Sequence, residues 1–545
     1  MTRRIPPDIE SSVYDAMVIG AGINGCGIAR DAAMRGLRVL LLDKGDIAGG
    51  TTSWSTRLIH GGLRYLEYGE VGLVRESLRE RERLLHIAPH LVRPLPLLIP
   101  IYEGARRGPW LIRAGMIAYD LLSFDKSLDH HHMLTRQQAL ARAPGLNPAG
   151  LRGAAVYYDA QVEYAERLAV ENALSAVENR ADVLTYARVE RLLWRGAAVE
   201  GAEVKDLLGG GTMRVRARVT VNVAGPWVDQ VLAGSPRPTP RMIGGTKGSH
   251  IVVEPFAGAP RDALYVEAHE DQRPFFIIPW NRLYLIGTTD VRFEGDLDQV
   301  EADESEIDYL IRETNRVIPA ARLTRDAVLY TYSGVRPLPF VRDGAEAGIT
   351  RRHFIHDHTP DASNLLSIVG GKLTTYRELA EQTVNRIFRK LGRRAPACPT
   401  AQVKLPGAAG AGLAALKSQF TAGGCVPQET GERLLRVYGT RARSVLAIAS
   451  ECPSLLEPFS PETGAIGAEV IFSFRHELAQ TLGDCLLRRT MVGLGPLAGL
   501  GADASAARIA QQHLGWSPDR AAQEIAAYRK RIERFHPRQA SVEYS

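Results

Sequence analysis

Cysteine is scarce in this chain. Five residues in 545, Cys26, Cys398, Cys425, Cys452 and Cys485, show no CxxC spacing and an odd total. That argues against a disulfide framework or a zinc site and fits a reducing compartment. Long apolar runs are missing too: no stretch approaches the ~18 uninterrupted residues of a membrane span. The N-terminus, MTRRIPPDIESSVYD, has two arginines but no apolar centre of a secretory signal. Charge of one sign is equally thin. Lys plus Arg number 67 against 61 Asp plus Glu, a net +6 that is no nucleic-acid signature over this length. With 45% hydrophobic and 23% charged residues, wholesale disorder is excluded, and the length accommodates two to four domains of roughly 100–200 residues. Glycine is well represented, at 52 residues, and it is enriched where backbone turns sharply or approaches a ligand.

The first glycines are the most informative. In YDAMVIGAGINGCGIARDAAMRGLRVLLLD (residues 14–43), an apolar run from Ala16 to Ile19 enters Gly20-Ala21-Gly22-Ile23-Asn24-Gly25. Ile28, Ala29, Ala32 and Ala33 then recur at helical spacing, Gly36 stops the helix, and Leu37 to Leu42 reads as a second buried strand. This is a βαβ unit of about 30 residues. Gly20 serves the tight turn, Gly22 the approach to a pyrophosphate, and Gly25 the helix–strand contact. The helix N-terminus offers N–H groups and positive dipole to phosphates. Asp43, at the end of the second strand, stands where a carboxylate accepts ribose hydroxyls.

Further islands follow. Residues 49–67, GGTTSWSTRLIHGGLRYLE, set short hydroxyl side chains before a second glycine pair, Gly61-Gly62. Val219 to Ala224 reads as a strand leading to Gly225-Pro226-Trp227. PFFIIPWNRLYLIGTTD (274–290) reads as a hairpin around Asn281-Arg282. SIVGGKLTTYR (367–377) reads as a strand, a glycine pair and a helix start, an end that can stabilise negative charge on a reduced cofactor ring. Beyond about residue 395, APACPTAQVKLPGAAGAG reads as a linker. Helical spacing then returns at Glu432 to Val437, Ala442 to Ala449, Ala468 to Leu487 and Ala504 to Leu514, predicting a separate all-helical domain without a catalytic constellation.

Together, GAGINGCGIARDAAMRG, LIHGGLRYLE, AGPWVD, KGSHIVV, IIPW, IGTTD, TYSGVRPL and VGGKLTTYRELAE resemble the FAD-dependent glycerol-3-phosphate dehydrogenases over residues 13 to 395, with a weaker resemblance in the helical tail. The resemblance implies an α/β architecture. A Rossmann-like FAD-binding domain of glutathione-reductase type (13–90, 151–245, 336–395) would interleave with an antiparallel-sheet substrate domain (91–150, 246–335), followed by a C-terminal all-helical domain (396–545). It implies oxidation of sn-glycerol 3-phosphate to dihydroxyacetone phosphate by hydride transfer to flavin N5, with electrons passed to a membrane quinone. It further implies a homodimer at the peripheral membrane surface, on the cytoplasmic face of the inner membrane or in the cytoplasm, with no nucleic-acid partner. By motif, Gly20, Gly22, Gly25 and Asp43 would hold the ADP half of FAD. Thr52, Ser53, Ser55, Thr56, Arg57 and Leu58, with Gly225, would line pyrophosphate and flavin, and Gly371, Lys372, Leu373 and Thr374 the isoalloxazine end. His60, Arg64, Tyr65, His250, Arg336 and Lys372 would surround the substrate.

Residue chemistry supports these types independently. A phosphate of charge near −2 suits the bidentate fork of arginine, for which Arg64 and Arg336 stand in glycine-flanked islands. Oxidising an alcohol requires a base, and His250 and His60 compete for that role, His250 being favoured. Lys372 could stabilise a developing alkoxide or the reduced flavin. The chain departs from the family pattern at Arg57, where lysine is expected, and at Asn222-Val223-Ala224-Gly225, which lacks a hydroxyl. Tyr158 to Arg167 aligns poorly and receives no site residue.

The histidine runs 129–132 and 353–358 lack spacing that would fix a metal, and no metal site is expected. The stretch Ala105 to Phe124 combines Arg106, Arg107 and Arg113 with Trp110, Leu111 and other apolar residues. It reads either as an interfacial helix or as a buried core helix. Two rivals to the quinone-linked dehydrogenase are an oxidase that releases peroxide and a flavin-binding sensor without catalysis.

Overall fold

The computed structural model describes residues 2–237, 239–342, 349–410, 415, 418 and 426–538; Cys425 lies outside them. Two large sheets carry the fold. In the first, Val13–Ile19 sits centrally between Val39–Leu42 and Thr212–Asn222, with Asp182–Leu184 and Leu365–Val369 outside them, all in parallel. Every residue of Val39–Leu42 is buried, the continuous apolar pattern of a parallel strand covered on both faces. Ala187–Arg195, Ala198–Asp206 and Thr212–Asn222 form an antiparallel meander attached to this sheet. Helices Ile23–Met34, Ala165–Glu178 and Tyr376–Lys390 pack together in the core of this region. A Cβ on Gly27 would lie 2.7 Å from the Tyr376 ring, so the first helix can approach the third only as glycine.

The second sheet has ten strands. Its centre is the long antiparallel pair Val92–Tyr102 and Leu151–Val162. One flank runs through Ala263–Glu267, Pro274–Trp280, Leu283–Gly287 and Thr246–Val253, which also pairs with Val328–Arg336. The hairpin expected at Asn281-Arg282 is present, both residues at positive φ as a two-residue turn requires. Leu151–Val162 and Leu58–Ile59 belong to this sheet rather than to the parallel one. The expected boundary at residue 151 therefore shifts to about 163, because the apolar strand pairs with Val92–Tyr102 before the chain returns to the first sheet.

Residues 428–533 supply helices Gln428–Tyr438, Ala442–Glu451, Gly467–His476, Ala502–Leu514 and Pro518–Glu533. The single helix expected over 468–487 is broken: Leu478 adopts φ 61°, and the chain restarts at Leu482–Asp484 before a π-helical turn, Cys485–Arg489. The expected linker is no free tether either. Leu405 is fully buried, and Gly407 donates its N–H to Glu171 while a Cβ there would overlap His90 and Glu171. Buried ion pairs fasten the helical region down. Arg167 grips Glu477 with both terminal guanidinium nitrogens, and Asp46, just past the second strand, receives Arg488 and Arg489.

Candidate active site

Between the sheets lies a cavity of about 1110 Å³, just above the ~300–1,000 Å³ of small-molecule sites. The first strand ends against it at Ile19. Gly20 takes φ 113°, and a Cβ there would sit 2.6 Å from the Val223 carbonyl oxygen, so only glycine fits this turn. Gly25 packs directly against the Gly20 carbonyl, the helix–strand contact its position suggests. Helix Ile23–Met34 starts with no side-chain cap at Gly22, leaving N–H groups and the positive dipole end to an anion. Thr52 Oγ1 accepts the Ile23 N–H at 3.1 Å, fixing the hydroxyl-rich loop over this helix end. Asp43 accepts the N–H groups of Ala21 at 2.6 Å and Gly45 at 2.8 Å, and burial pushes its carboxyl up from the usual range. Asn24 Oδ1 and Trp227 Nε1 are buried without partners, and both residues line the cavity. A glycine cradle, a bare helix end and unpartnered polar atoms fit a dinucleotide.

Of the cofactor residues expected from sequence, Gly20, Gly22, Asp43, Thr52, Ser55, Gly225, Gly371, Lys372 and Leu373 line this cavity. The others stand behind it. Ser53 donates to the Ala48 carbonyl, and Thr374 accepts the His60 N–H at 3.1 Å. Thr56 faces His250, and Leu58 is a buried strand residue. Arg57 is fully buried, bonded to both oxygens of Glu166 (2.7 and 2.8 Å), with its guanidinium 4.7 Å from the Trp280 ring centre. Its charge is spent on that pair, so it is a fastening of the loop and not a cavity residue.

The six expected substrate residues gather where the second sheet meets the glycine pairs. His250 and Arg336 come from paired strands, with His250 opposite Tyr332 and Thr246 opposite Arg336. His250 Nε2 lies 3.0 Å from Thr56 Oγ1, Nδ1 is buried without a partner, and the ring packs 4.9 Å from that of Tyr332. Burial, followed by the charges of Arg336 and Arg57, holds this imidazole well below its ordinary pKa, so it is neutral near pH 7. His60 is likewise pushed down to about 3, by burial and then Lys372 and Arg81. Lys372 donates to Ser77 Oγ at 3.0 Å and stands 4.1 Å from the Tyr65 ring centre. Burial pushes its ammonium down to about 7. Tyr65 in turn lies in the field of Arg351, Arg64 and Arg336. Arg64 bonds Tyr68 at 3.2 Å.

Two residues that the sequence did not single out belong to this constellation. Arg351 shares Asp290 with Arg336: the distances are 3.1 and 2.9 Å, and Arg351 Nη1 is buried without a partner. Against the upward push of burial, these two arginines hold the Asp290 carboxyl low. The only signal for Arg351 is its place in a polar run, Thr350 to His353, after the TYSGVRPL island. Asp159, within the stretch that aligned poorly, accepts the Tyr119 hydroxyl and Arg81 Nη1 (2.6 Å). It and the same hydroxyl also receive the Gly61 N–H. It therefore sets the turn that presents His60 and Arg64. The histidine run near 130 serves Asp120, which receives His131 Nδ1 at 2.7 Å.

Of these substrate residues only Lys372 lines the dinucleotide-shaped cavity, and Arg64 lines a second, smaller one; two neutral imidazoles and the Arg336–Asp290–Arg351 group stand behind the first. Residues 15–377 match the family model described as FAD dependent oxidoreductase, and residues 398–521 the one described as the C-terminal domain of alpha-glycerophosphate oxidase. A glycerol-3-phosphate dehydrogenase of Synechocystis sp. is 49% identical over 546 residues, covering 97% of this chain and 98% of that one. A D-erythritol 1-phosphate dehydrogenase of Brucella abortus is 39% identical over 500 residues, covering 88% and 95%. Among solved structures, the glycerol-3-phosphate dehydrogenase from Bacillus halodurans complexed with FAD superposes with a TM-score of 0.78 at 27% identity, over 98% of each chain.

Proposed function

This chain belongs to the FAD-dependent glycerol-3-phosphate dehydrogenases, and we propose that it oxidises sn-glycerol 3-phosphate to dihydroxyacetone phosphate. The observation that carries the substrate reading is the pair Arg336 and Arg351, joined through Asp290, with Lys372 over the Tyr65 ring and a neutral His250 in the field of Arg336. Gly20, Gly22, Asp43 and Thr52 would hold FAD, which when bound would supply a two-electron acceptor for the hydride leaving C2, with a membrane quinone as the onward acceptor. The guanidinium groups grip the phosphate in forked, charge-assisted bonds, with Asp290 holding Arg336 and Arg351 in place. His250 takes the C2 hydroxyl proton, its lowered pKa keeping it free to accept. Lys372 sits beside Gly371 and Leu373 on the cavity wall, where its charge favours a developing anion. The parallel sheet with its antiparallel meander supports a nucleotide-binding domain of glutathione-reductase type.

Anaerobic addition of sn-glycerol 3-phosphate bleaches the flavin in this reading, while glycerol does not. D-erythritol 1-phosphate is the sharpest comparison, since both substrates present a phosphate and a secondary hydroxyl. Faster bleaching by it would transfer the assignment, and a flavin that stays yellow with both would favour the sensor. Because residues 398–521 match an oxidase's C-terminal domain, oxygen is the rival acceptor. Stoichiometric peroxide without quinone would establish it.

No helix of the described residues is long and apolar enough to cross a membrane. Helix Pro109–Leu122 supports a peripheral mode. Ile112, Met116 and Tyr119 are buried against the core, so the core reading holds for one face. On the other, Trp110 is 80% exposed, Leu121 70% and Phe124, just past the helix, 77%. Exposed Arg106 and Arg113 flank this apolar face, the composition of a helix resting on an anionic bilayer. Replacing Trp110 and Leu111 by alanine should abolish sedimentation with anionic liposomes and leave flavin bleaching intact. Unchanged sedimentation would refute it, and loss of self-association instead would assign the face to a second copy.

A further inference from the structure

The last helix, Pro518–Glu533, received no role from the sequence, and its family resemblance is weak. In the fold it returns to the cofactor cavity. Ala527, Lys530, Arg531, Glu533 and Arg534 form part of the same wall as Gly20, Gly22 and Asp43. The segment after the helix is pinned there: the Phe535 carbonyl accepts the Thr331 N–H and Arg538 donates its N–H to Leu329, both at 2.7 Å. Phe535 packs 5.2 Å from Trp54, and the Arg534 guanidinium lies 5.3 Å from the same ring. Trp54 belongs to the hydroxyl-rich loop that also carries Thr52 and Ser55. The helical region thus touches the cofactor loop directly.

Three carboxylates near Arg531 and Arg534 are already taken by other cations. Asp46 is occupied by Arg488 and Arg489, Asp484 by Arg488, and Asp298 by Lys44. Arg531 Nε and Arg534 Nε are both buried with no hydrogen-bond partner. Burying an unsatisfied guanidinium donor is unfavourable, and two neighbouring ones imply an anion that completes them. Across the cavity, the uncapped start of helix Ile23–Met34 faces the same space. We propose that Arg531 and Arg534 bind the diphosphate of FAD, making the C-terminal helical region part of the cofactor site. Burial and the neighbouring charge of Arg488 lower the pKa of Arg531; burial, Arg531 and Arg488 bring Arg534 down to about 10. A bound diphosphate relieves both.

The test reads FAD release and not turnover, so it is independent of the substrate assignment. Holoenzymes of wild type, Arg531→Ala, Arg534→Ala and, as a same-helix control, Arg520→Ala are diluted, and the recovery of free-flavin fluorescence is followed beside far-UV circular dichroism. Each cavity variant should release FAD about 10- to 100-fold faster, the range of one charge-assisted bond, with secondary structure unchanged and Arg520→Ala matching wild type. Release rates of Arg531→Ala and Arg534→Ala equal to that of Arg520→Ala would overturn the proposal. If the alanine variants do not accumulate, Arg531→Lys and Arg534→Lys carry the test, because they keep the charge and lose the fork. Faster release supports the assignment, and wild-type rates overturn it.

Discussion

Replacing Asp46 by asparagine probes the junction between the cofactor domain and the helical region. Asp46 is fully buried and accepts Arg488 Nε at 2.6 Å and Arg489 Nη1 and Nη2 at 2.9 and 2.7 Å. Despite burial, the two arginines hold its carboxyl down at about 2. A drop of that size from the ordinary value of 3.8 corresponds to on the order of 2 kcal/mol of native-state stabilisation. Because the folded pKa is depressed, this contribution is complete above about pH 4 and lost as pH falls through about 2. The substitution costs more than protonation does. It leaves Arg489 with the Glu477 carbonyl as its acceptor, whereas Arg488 keeps Asp484. Removing one partner of a buried pair costs about 3–5 kcal/mol, so the urea midpoint should fall by about 1–2 M for a slope of ~3 kcal/mol/M. Circular dichroism and flavin fluorescence, recorded together, would show two transitions if the helical region undocks first. Adding Arg489→Met to Asp46→Asn should recover part of the loss by removing the stranded cation. An unchanged midpoint for Asp46→Asn, or no recovery in the double variant, would refute the assigned role of this junction.

Other substitutions separate chemistry from binding. His250→Asn should lower the anaerobic flavin-reduction rate by ~10²–10⁴, measured by stopped flow; a loss confined to His60→Asn would exchange the two roles. Arg336→Lys keeps charge but loses the fork, so KM should rise about 10-fold or more with kcat less affected, read from steady-state kinetics. Lys372 is charged below its pKa of about 7 and neutral above it. Affinity of the free enzyme for the phosphate dianion should therefore decline as pH rises through 7, and the kcat/KM profile of Lys372→Met should lack that inflection.

The parts legible in sequence were those fixed by neighbours along the chain. Gly20 and Gly25 announce the turn because two close backbone approaches occur within six residues, and Asn281-Arg282 announces a hairpin between two apolar runs. The gathering of His250 and Arg336 was reachable only through family resemblance, since it depends on the pairing of Thr246–Val253 with Val328–Arg336. Arg351 and Asp159 were missed for the same reason. One stands in an unremarkable polar run, and the other acts through Tyr119 and Gly61. The expected linker misled because Pro, Gly and Ala also suit a tightly packed junction, where Gly407 lies against Glu171 and Gly439.

Arginine misled in a more general way, because its two uses look alike in sequence. Arg57 stands among cofactor-loop residues, yet its partner Glu166 is 109 positions away; Arg167 reaches Glu477 over 310, and Arg489 reaches Asp46 over 443. Such separations join segments that no local pattern relates. A buried pair adds little net stability over a well-packed apolar contact, but it penalises misplacement heavily, since either charge left alone in the interior is costly. In a chain whose two sheets are assembled from interleaved segments, that penalty favours one register of docking. The same logic separates Arg531 and Arg534 from the fastening arginines. Arg57, Arg167 and Arg489 each have a carboxylate of this chain; Arg57 Nε is open too, so what sets Arg531 and Arg534 apart among the described residues is that, beside the cofactor cavity, neither has an acid to complement its open Nε. An arginine buried with its acid holds the fold, and one buried without it points to the ligand.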